Sequence, residues 1–465
     1  MNSSISLALR NLLRNRRRSL ATLLAMAIGS ASILLFGGYS ANIQFSMQTA
    51  YICTGGHLQI QHRDYFLYGS GNPTAYGIEG YRTVLDAIAA DPQLQRSVRV
   101  ATPTLQFGGI AGNYSAGVSR TVVGLGLQAA DIKRMREWNE YKLPLKLPPF
   151  ALDGAPADAA ILGNGVARVL QLCEPLGLEN CPKVEVEQRA RGKAVPSDIA
   201  QLAALEGKAS PGTKTSAPKL ELLSSSPSGT PNVTSLQVVR AENQGFKELD
   251  EVLVTLQLAQ AQRLIYGRSP PRATSIMLQL ESTVQMDAVK QRLNELLPTL
   301  GLKQPLAVLG FEQLNPFYVQ TVQLFNTIFG FIFALIGGIV LFTVSNTMNT
   351  AVVERTVEIG TLRAIGLRRR GIRTMFIAEG LLLGLTGAIV GALAAILISA
   401  LINVAGLTWL PPGSAEPLPL IVRVWGQTTM IVGTTLGLIV VAAVSAWWPA
   451  RQAARMNVVD ALRHV

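Results

Sequence analysis

The sequence contains little charge. Asp, Glu, Lys and Arg make up 15% of its 465 residues, whereas a soluble protein usually has about a quarter. The shortage is concentrated in four stretches that contain none of these residues, at 19–62, 313–353, 380–415 and 424–450. Each stretch includes an apolar run of about 20 residues, the length that a helix needs to cross a bilayer. These runs exclude an ordinary soluble chain and predict four membrane-spanning helices.

Histidine is also scarce, with three residues in the whole chain. His57 and His62 lie close together in GHLQIQH, which is a weak hint of a metal site beside the commoner interpretation of packed strand residues. The sequence contains no C-x-x-C or H-E-x-x-H motif and no G-x-x-x-x-G-K-[ST] phosphate loop. These absences argue against an enzyme, and a transporter subunit of this kind would draw its energy from a partner.

Cysteine occurs three times. Cys173 and Cys181 flank the short segment EPLGLEN, and in an oxidising compartment they are candidates for a disulfide. Two free thiols are the alternative, and the residues alone leave both open. Cys53 is the odd residue left over, and it is expected to pack in the interior.

The basic residues predict the orientation in the membrane. Residues 1–18 carry five arginines and no acidic residue, and Val352–Phe376 carries six arginines and two glutamates. The loop at 406–428 carries one arginine and one glutamate. Both termini and the basic loop are therefore predicted to be cytoplasmic, with the long segment 43–320 outside. A cleaved signal peptide is the alternative for the first span, but its apolar run exceeds the 7–15 residues typical of such peptides.

The net charge of +12 does not indicate a nucleic-acid partner. Residues 43–320 contain 26 basic and 24 acidic residues, so the outer segment is nearly neutral. The excess lies in the cytoplasmic fragments, where membrane topology and anionic lipid explain it.

The predicted fold is an α-helical membrane protein with four transmembrane helices and a large α+β domain inserted between the first two. Strand-like runs in the outer segment (SVRVATPTLQF, SRTVVGLGL) mix with helical ones, and its last part reads strand, helix, strand. A Ser-, Pro- and Gly-rich stretch at 207–233 is predicted to be flexible. The remaining segments are an amphipathic interfacial helix at 1–18, spans at 19–42, 321–350, 374–405 and 429–448, a cytoplasmic helix and loop at 351–373, an outer loop at 406–428 and a tail at 449–465.

Small residues recur at four-residue steps within the spans. This spacing lets helix backbones approach closely in lipid, although glycine is also common in membrane helices without any such role. The candidate packing positions are Ala25, Gly29, Gly380, Gly384, Gly387, Gly391, Gly433 and Gly437. Four spans are few for a complete pore, so a dimer is expected.

The charged segment between the second and third spans predicts a short helix from Ala351 to Ile365, closed by Gly366. Glu354 and Glu358 are four residues apart and would share one face. Such a helix suits docking on a soluble partner, and it equally suits a solvated connector held by lipid. The residues alone do not decide between the two.

The segment VVERTVEIGTLRAIGLRRRGI resembles the signature of the FtsX/MacB/LolC permease family of ABC transporters, E-R-x-x-E-I-G-x-L-[RK]-A-x-G. LALRNLLRNRRRS and PARQAARMNVVDALRH resemble the beginning and end of that family, and GGHLQIQHRDY and QGFKELDEVLVTLQLAQAQRLI resemble its periplasmic segments. The resemblance covers the chain except about 183–235. The residues that match the signature are Glu354, Arg355, Glu358, Ile359, Gly360, Leu362, Arg363, Ala364 and Gly366.

The resemblance implies a four-span half-transporter with a MacB-like periplasmic core in the inner membrane. It would pair with a second permease copy or a paralogue and with two separate ATPase subunits, which would bind ATP and Mg while this chain binds no cofactor. The helix carrying the signature would be the coupling helix of a mechanotransmission device. The expected function is release of lipoproteins, helped by a periplasmic chaperone or adaptor. The alternatives are efflux of a peptide, antibiotic or lipid through a tripartite system, and activation of cell-wall hydrolases.

Overall fold

The computed structural model describes residues 16–144, 148–178, 218–245, 247–410 and 417–456. They form two compact units, a helical unit drawn from 1–48, 316–409 and 417–465, and an α+β unit drawn from 49–315 and 410–416. The predicted interfacial helix at 1–18 lies almost wholly outside the described residues. The predicted tail at 449–465 is described only as far as 456.

The helices are numbered in chain order. They are α1 (Arg16–Gly55), α2 (Tyr65–Tyr68), α3 (Tyr81–Ala90), α4 (Pro92–Ser97), α5 (Ala129–Arg136), α6 (Asn164–Val169), α7 (Cys173–Leu176), α8 (Lys247–Asp250), α9 (Leu258–Tyr266), α10 (Met286–Leu296), α11 (Phe311–Leu314), α12 (Pro316–Glu354), α13 (Thr356–Ala364), α14 (Arg369–Ala405) and α15 (Thr428–Arg455). Short 3-10 turns lie at Pro73–Tyr76, Thr283–Gln285 and Leu297–Leu300.

The strands are numbered in the same way. They are β1 (Leu58–His62), β2 (Val98–Asn113), β3 (Val118–Leu127), β4 (Ala159–Gly163), β5 (Lys219–Ser225), β6 (Pro231–Glu242), β7 (Leu253–Gln257), β8 (Ser275–Leu280), β9 (Leu306–Gly310), β10 (Thr408–Trp409) and β11 (Leu418–Pro419).

Among the described residues, four helices, α1, α12, α14 and α15, are long and apolar enough to cross a membrane. Each coincides with a predicted span but extends past its bounds. The first continues beyond residue 42 to Gly55, the second begins at Pro316, the third begins at Arg369 and the last ends at Arg455. Hydropathy marks where charge begins, whereas backbone hydrogen bonds continue a helix through polar residues, so the helices are longer than the predicted spans, and the bounds of the spans stay a prediction.

Glycines let the four long helices pack closely. A methyl group added at Gly380 or Gly384 would lie 2.5 or 2.8 Å from the β-carbon of an alanine on α15. Gly387 and Gly391 meet α1 in the same way, and Gly437 meets Phe333 of α12. The remaining predicted positions differ from one another. A methyl group added at Gly29 would lie 2.7 Å from the side chain of Ile336, Ala25 is half-buried, and Gly433 faces open space. Gly433 therefore makes no such contact within a single chain, and its packing role stays a prediction.

We predict that Gly391→Ala destabilises the helical unit. The new methyl group would lie 2.5 Å from the carbonyl oxygen of Ala27, which is backbone and can move only with α1. Overpacking of this kind costs about 1–3 kcal/mol, which should appear as a lower melting temperature in detergent. Gly433→Ala is the matched control and should leave the melting temperature unchanged. Equal effects of the two substitutions would contradict the proposed close contact.

The α+β unit is built around the long strand β2. The pairings β2–β3, β3–β7, β7–β4, β4–β6, β6–β5 and β5–β2 close a ring of six strands. The first half of β2 also pairs with β8, which continues through β1 to β9. The interior of the ring is filled by a buried cluster that includes Phe107, Leu222 and Leu256. The α+β fold predicted for the outer segment is present.

The stretch at 207–233 was predicted to be flexible, and from Lys219 onward this was wrong. Residues 219–225 form β5 and are hydrogen-bonded to β6. Leu220 and Leu222 are fully buried, whereas the intervening Glu221 is exposed. This alternation is a strand signal, which the surrounding Ser, Pro and Gly residues obscured. Residues 207–217 lie outside the described part of the chain.

Two earlier hypotheses concern cysteine and histidine in this unit. Cys173 is buried at the start of α7, but Cys181 lies outside the described residues, so the bridge between them stays a prediction. Cys53 is buried and its thiol lies 3.4 Å from the carbonyl oxygen of Trp138. No group of three or more potential metal ligands occurs among the described residues, and the weak metal hint from His57 and His62 gains no support.

His57 is instead a fully buried neutral residue. Its Nδ1 accepts a hydrogen bond from the backbone N–H of Leu280 at 3.0 Å, which leaves Nε2 to donate to the hydroxyl of Thr283 at 3.3 Å. That hydroxyl donates to the carboxylate of Glu140 at 2.7 Å. Burial lowers the pKa of His57 to about 4, and the negative charge of Glu140 opposes this shift only in part.

We predict that the α+β unit loses stability as pH falls from about 6.5 to 4. In this range the unfolded chain protonates its imidazole while the folded chain does not, at a cost of roughly 3 kcal/mol by pH 4. Hydrogen exchange of the β1 amides, corrected for its intrinsic pH dependence, measures the effect. His57→Gln should flatten the pH dependence and His62→Gln should preserve it. An unchanged slope in His57→Gln would assign the effect to other groups.

Candidate functional site

The candidate site is the segment between the second and third long helices. Helix α12 ends at Glu354, and α13 begins at Thr356. Arg355 between them has φ −107° and ψ 19°, outside the helical range. The single helix predicted from Ala351 was therefore wrong at its beginning, because the span itself continues to Glu354 and the chain bends at Arg355.

The other end of α13 follows the prediction. Gly366 has φ +102°, in the left-handed region that favours glycine. Its N–H donates to the carbonyl of Arg363 at 3.1 Å, and the N–H of Leu367 donates to the carbonyl of Leu362 at 3.0 Å. These two bonds satisfy carbonyl groups that the end of a helix leaves open, in the pattern known as a Schellman motif.

One face of α13 is buried in the helical unit. Ile359 is 1% exposed, and it belongs to a cluster with Val352 of α12, Phe376 of α14 and Ala453 of α15. Gly360 beside it is buried as well. This face therefore anchors the short helix to the ends of three long helices at once.

Two polar contacts also hold α13 in place, and unlike the apolar packing they are directional. The guanidinium of Arg355 lies 3.2 Å from the carboxylate of Glu379 on α14, and both side chains are at most 5% exposed. The guanidinium of Arg363 donates to the backbone carbonyl of Met456, directly after α15. Removing one partner from a buried ion pair typically costs about 3–5 kcal/mol, so Arg355 and Glu379 depend on each other.

The opposite face of the segment is exposed. Glu354 and Glu358 are both exposed, and each follows an exposed valine, Val353 or Val357. A valine–glutamate pair is thus repeated after four residues, once on the last turn of α12 and once on the first turn of α13. Farther along, Ala364 and Gly366 are exposed and Ile365 is 80% exposed.

These residues form a surface that we call the Val-Glu face: Val353, Glu354, Val357, Glu358, Thr361, Ala364 and Ile365. It combines two exposed carboxylates with exposed apolar side chains. The exposed arginines 368, 369, 370 and 373 follow it at the start of α14. A surface of this kind is complementary to one that offers basic and apolar groups.

Comparison with known proteins identifies the helical unit. Residues 327–458 match the model of the FtsX-like permease C-terminal family. This region is an FtsX-like permease domain. The match includes α13, α14, α15 and the part of α12 from residue 327 onward, so the predicted FtsX/MacB family resemblance is confirmed for residues 327–458.

Two relatives of the permease each match it over about 120 residues. An uncharacterized ABC transporter permease of Methanocaldococcus jannaschii is 32% identical over 120 residues, which cover 26% of this chain and 28% of the relative. A macrolide export ATP-binding/permease protein MacB of Chlorobium luteolum is 38% identical over 125 residues, which cover 26% of this chain and 16% of the relative. The chain therefore spans less than a third of the length of these relatives.

Two solved structures resemble the permease weakly. The periplasmic region of MacB from Actinobacillus actinomycetemcomitans covers 57% of this chain and 94% of its own length, with 12% identity and a TM-score of 0.30. The extracellular domain of the noncanonic ABC-type transporter YknZ from Gram-positive bacteria covers 54% and 99%, with 12% identity and a TM-score of 0.28. Scores this low carry no inference about function.

The permease signature divides into two groups in the structure. Arg355, Ile359 and Gly360 face inward, and Leu362 and Arg363 are half-buried. Glu354, Glu358, Ala364 and Gly366 are exposed. The sequence placed all nine in one docking role, whereas the structure assigns the inward group to attachment of the helix.

Glu379 was missed by the sequence analysis. It is the last charged residue before 26 uncharged residues of α14 and lies within the predicted span 374–405, where ionisable groups are often functional. That isolation was the available signal. Its partner Arg355 could not be inferred, because the two residues are 24 positions apart and on different helices.

Proposed function

We propose that this permease couples ATP hydrolysis by a separate ATPase subunit to work on the outer side of the membrane. The observation that carries the proposal is the division of α13 into an anchored face and the exposed Val-Glu face. A connector that only joined two spans would need neither a buried ion pair nor a row of exposed valines beside carboxylates. The division suits a helix that receives a partner on one side and acts on the spans with the other.

The proposed ATPase would bind ATP and Mg. The permease contributes the Val-Glu face, whose carboxylates would meet basic side chains in a groove of the ATPase while Val353, Val357 and Ile365 fill apolar contacts. Charge complementarity gives such contacts their specificity, and buried apolar anchors give most of their energy. Two ATPases and two permease copies, or one permease and a paralogue, complete the proposed complex.

The proposal fixes the topology. ATP is a cytoplasmic substrate, so α13 and both termini would be cytoplasmic, as the arginines of 1–18 and 351–373 indicate. The α+β unit would then be periplasmic, on the outer side of an inner membrane. Movement of α13 would reach that unit through α1 and α12, since the chain passes directly from each of these helices into it.

Lipoprotein release is the cargo function that we propose. The support comes from the GGHLQIQHRDY and QGFKELDEVL segments, which resemble the lipoprotein-releasing branch as well as the efflux branch. Efflux is the second candidate, because relatives such as the Chlorobium luteolum protein are named macrolide export proteins. A periplasmic chaperone would serve the first function, and an adaptor with an outer channel would serve the second.

We predict that Glu354→Lys and Glu358→Lys weaken attachment of the ATPase by roughly tenfold or more, because like charges would then face each other across the contact. Both residues are exposed, and the melting temperature of each variant, measured in parallel, separates loss of docking from loss of stability. The measurement is copurification of the ATPase with the tagged permease, together with ATP hydrolysis by the reconstituted complex.

The matched control is Glu312→Lys, the same substitution at an exposed glutamate of the α+β unit. It should leave ATPase attachment and hydrolysis unchanged. If Glu354→Lys and Glu358→Lys both retain a full complement of ATPase and normal transport, the docking role of the Val-Glu face is wrong.

We also predict which proteins copurify with the complex. Purification from its native membrane in mild detergent, followed by mass spectrometry of proteins and lipids, should recover acylated proteins if the cargo is a lipoprotein. Recovery of a periplasmic adaptor and an outer-membrane channel, without acylated proteins, would favour efflux instead. Glu354→Lys complexes processed in parallel control for adventitious binding to the permease.

A further inference from the structure

The two polar contacts of α13 lead to different helices. At its beginning, Arg355 contacts Glu379, the eleventh residue of α14. At its end, Arg363 donates to the carbonyl of Met456, one residue beyond α15. A force applied to the Val-Glu face would therefore be passed to two spans at separate points. The two contacts differ in strength, because one joins opposite charges and the other joins a charge to a neutral carbonyl.

Arg355 occupies the only position between α12 and α13. A rotation of α13 relative to α12 has to occur at this residue, and its side chain is the one held by Glu379. Thr356 next to it donates to the carbonyl of Val353 at 2.8 Å, which closes the last turn of α12. The bend at Arg355 is therefore held to α12 by the Thr356 hydrogen bond and to α14 by the ion pair.

The surrounding apolar contacts cannot provide this attachment. Side chains such as Ile359, Ile372 and Phe376 pack without directional bonds, and such contacts permit helices to slide or rotate in small steps. A guanidinium opposite a carboxylate has a defined geometry. A buried pair is also weak evidence for stability, because apolar residues of similar volume often stabilise a fold equally well. Its distinctive contribution here is to fix the orientation of α13 relative to α14.

We propose that the Arg355–Glu379 ion pair is the link through which movement of docked α13 reaches the third span, α14. Arg355 and Glu379 are positioning residues in this role, and they touch neither the ATPase nor the cargo. The inference rests on the proposed coupling function, and it specifies which contact transmits the movement. It separates docking, which uses the exposed face, from transmission, which uses the buried one.

The test measures movement at the far end of α14. Val404 is 87% exposed near that end, and Val404→Cys can be labelled with a water-soluble maleimide in the complex with its ATPase. We expect the labelling rate of the otherwise unaltered complex to change several-fold between the nucleotide-free state and the state trapped with ATP and vanadate. The same complex without Val404→Cys gives the background from native cysteines.

Four variants of the pair are compared in this background. Glu379→Gln keeps the size of the side chain and removes its charge, and it should abolish most of the nucleotide-dependent change. Arg355→Glu and Glu379→Arg should each abolish it as well. The double reversal R355E/E379R restores an ion pair with its polarity exchanged and should regain the change. Arg370→Gln, at an exposed arginine of the same helix, is the control that should behave as the unaltered protein.

The ATPase should copurify with every variant, because the Val-Glu face is intact in all of them. A nucleotide-dependent change that persists in Glu379→Gln would overturn the inference. So would a double reversal that folds and binds the ATPase but does not recover the change. If the ATPase does not bind even the permease with an intact ion pair, the proposed function is contradicted instead. The two failures are therefore distinguishable.

Discussion

The helical unit depends on how two charges are accommodated where water is absent. Arg355 and Glu379 are almost fully buried in a unit whose long helices carry their other charged residues only near their ends. Leaving either charge unpaired would cost several kcal/mol, so the two side chains have to meet. Because one stands at the bend before α13 and the other on α14, this requirement determines where the short helix lies. The glycine contacts and the apolar cluster around Ile359 then fill the space that the pair defines.

Much of the helical unit could be predicted from residues close together in the sequence. Runs without charge mark all four long helices, and Gly366 marks the end of α13. The valine–glutamate repeat at four-residue spacing identifies the exposed face. The partner of Arg355 could not be predicted, because Glu379 lies 24 positions later in the sequence and on another helix. The one-residue break at Arg355 also has no local sequence signal.

The α+β unit, too, could be predicted only in part from local sequence patterns. The strands β2, β3, β8 and β9 and the helix α10 follow their sequence patterns, but the ring of six strands depends on pairings between distant segments. Strand β2 pairs with β8 about 170 to 180 residues later, and its 16 residues reach both partners that close the ring. The sequence signals these strands but not their neighbours. In β5, even the strand signal was weak beside a Ser- and Pro-rich stretch.

The distribution of similarity bears on what the two units contribute. The family match covers residues 327–458, and the relatives with identities of 32% to 38% match 26% to 31% of the chain. In the proposed mechanism this part receives movement from an ATPase. That role does not depend on the cargo. The names of the relatives therefore bear on coupling more than on substrate. Selection of the cargo would fall to the α+β unit, where a bound lipid or protein would have to make its specific contacts.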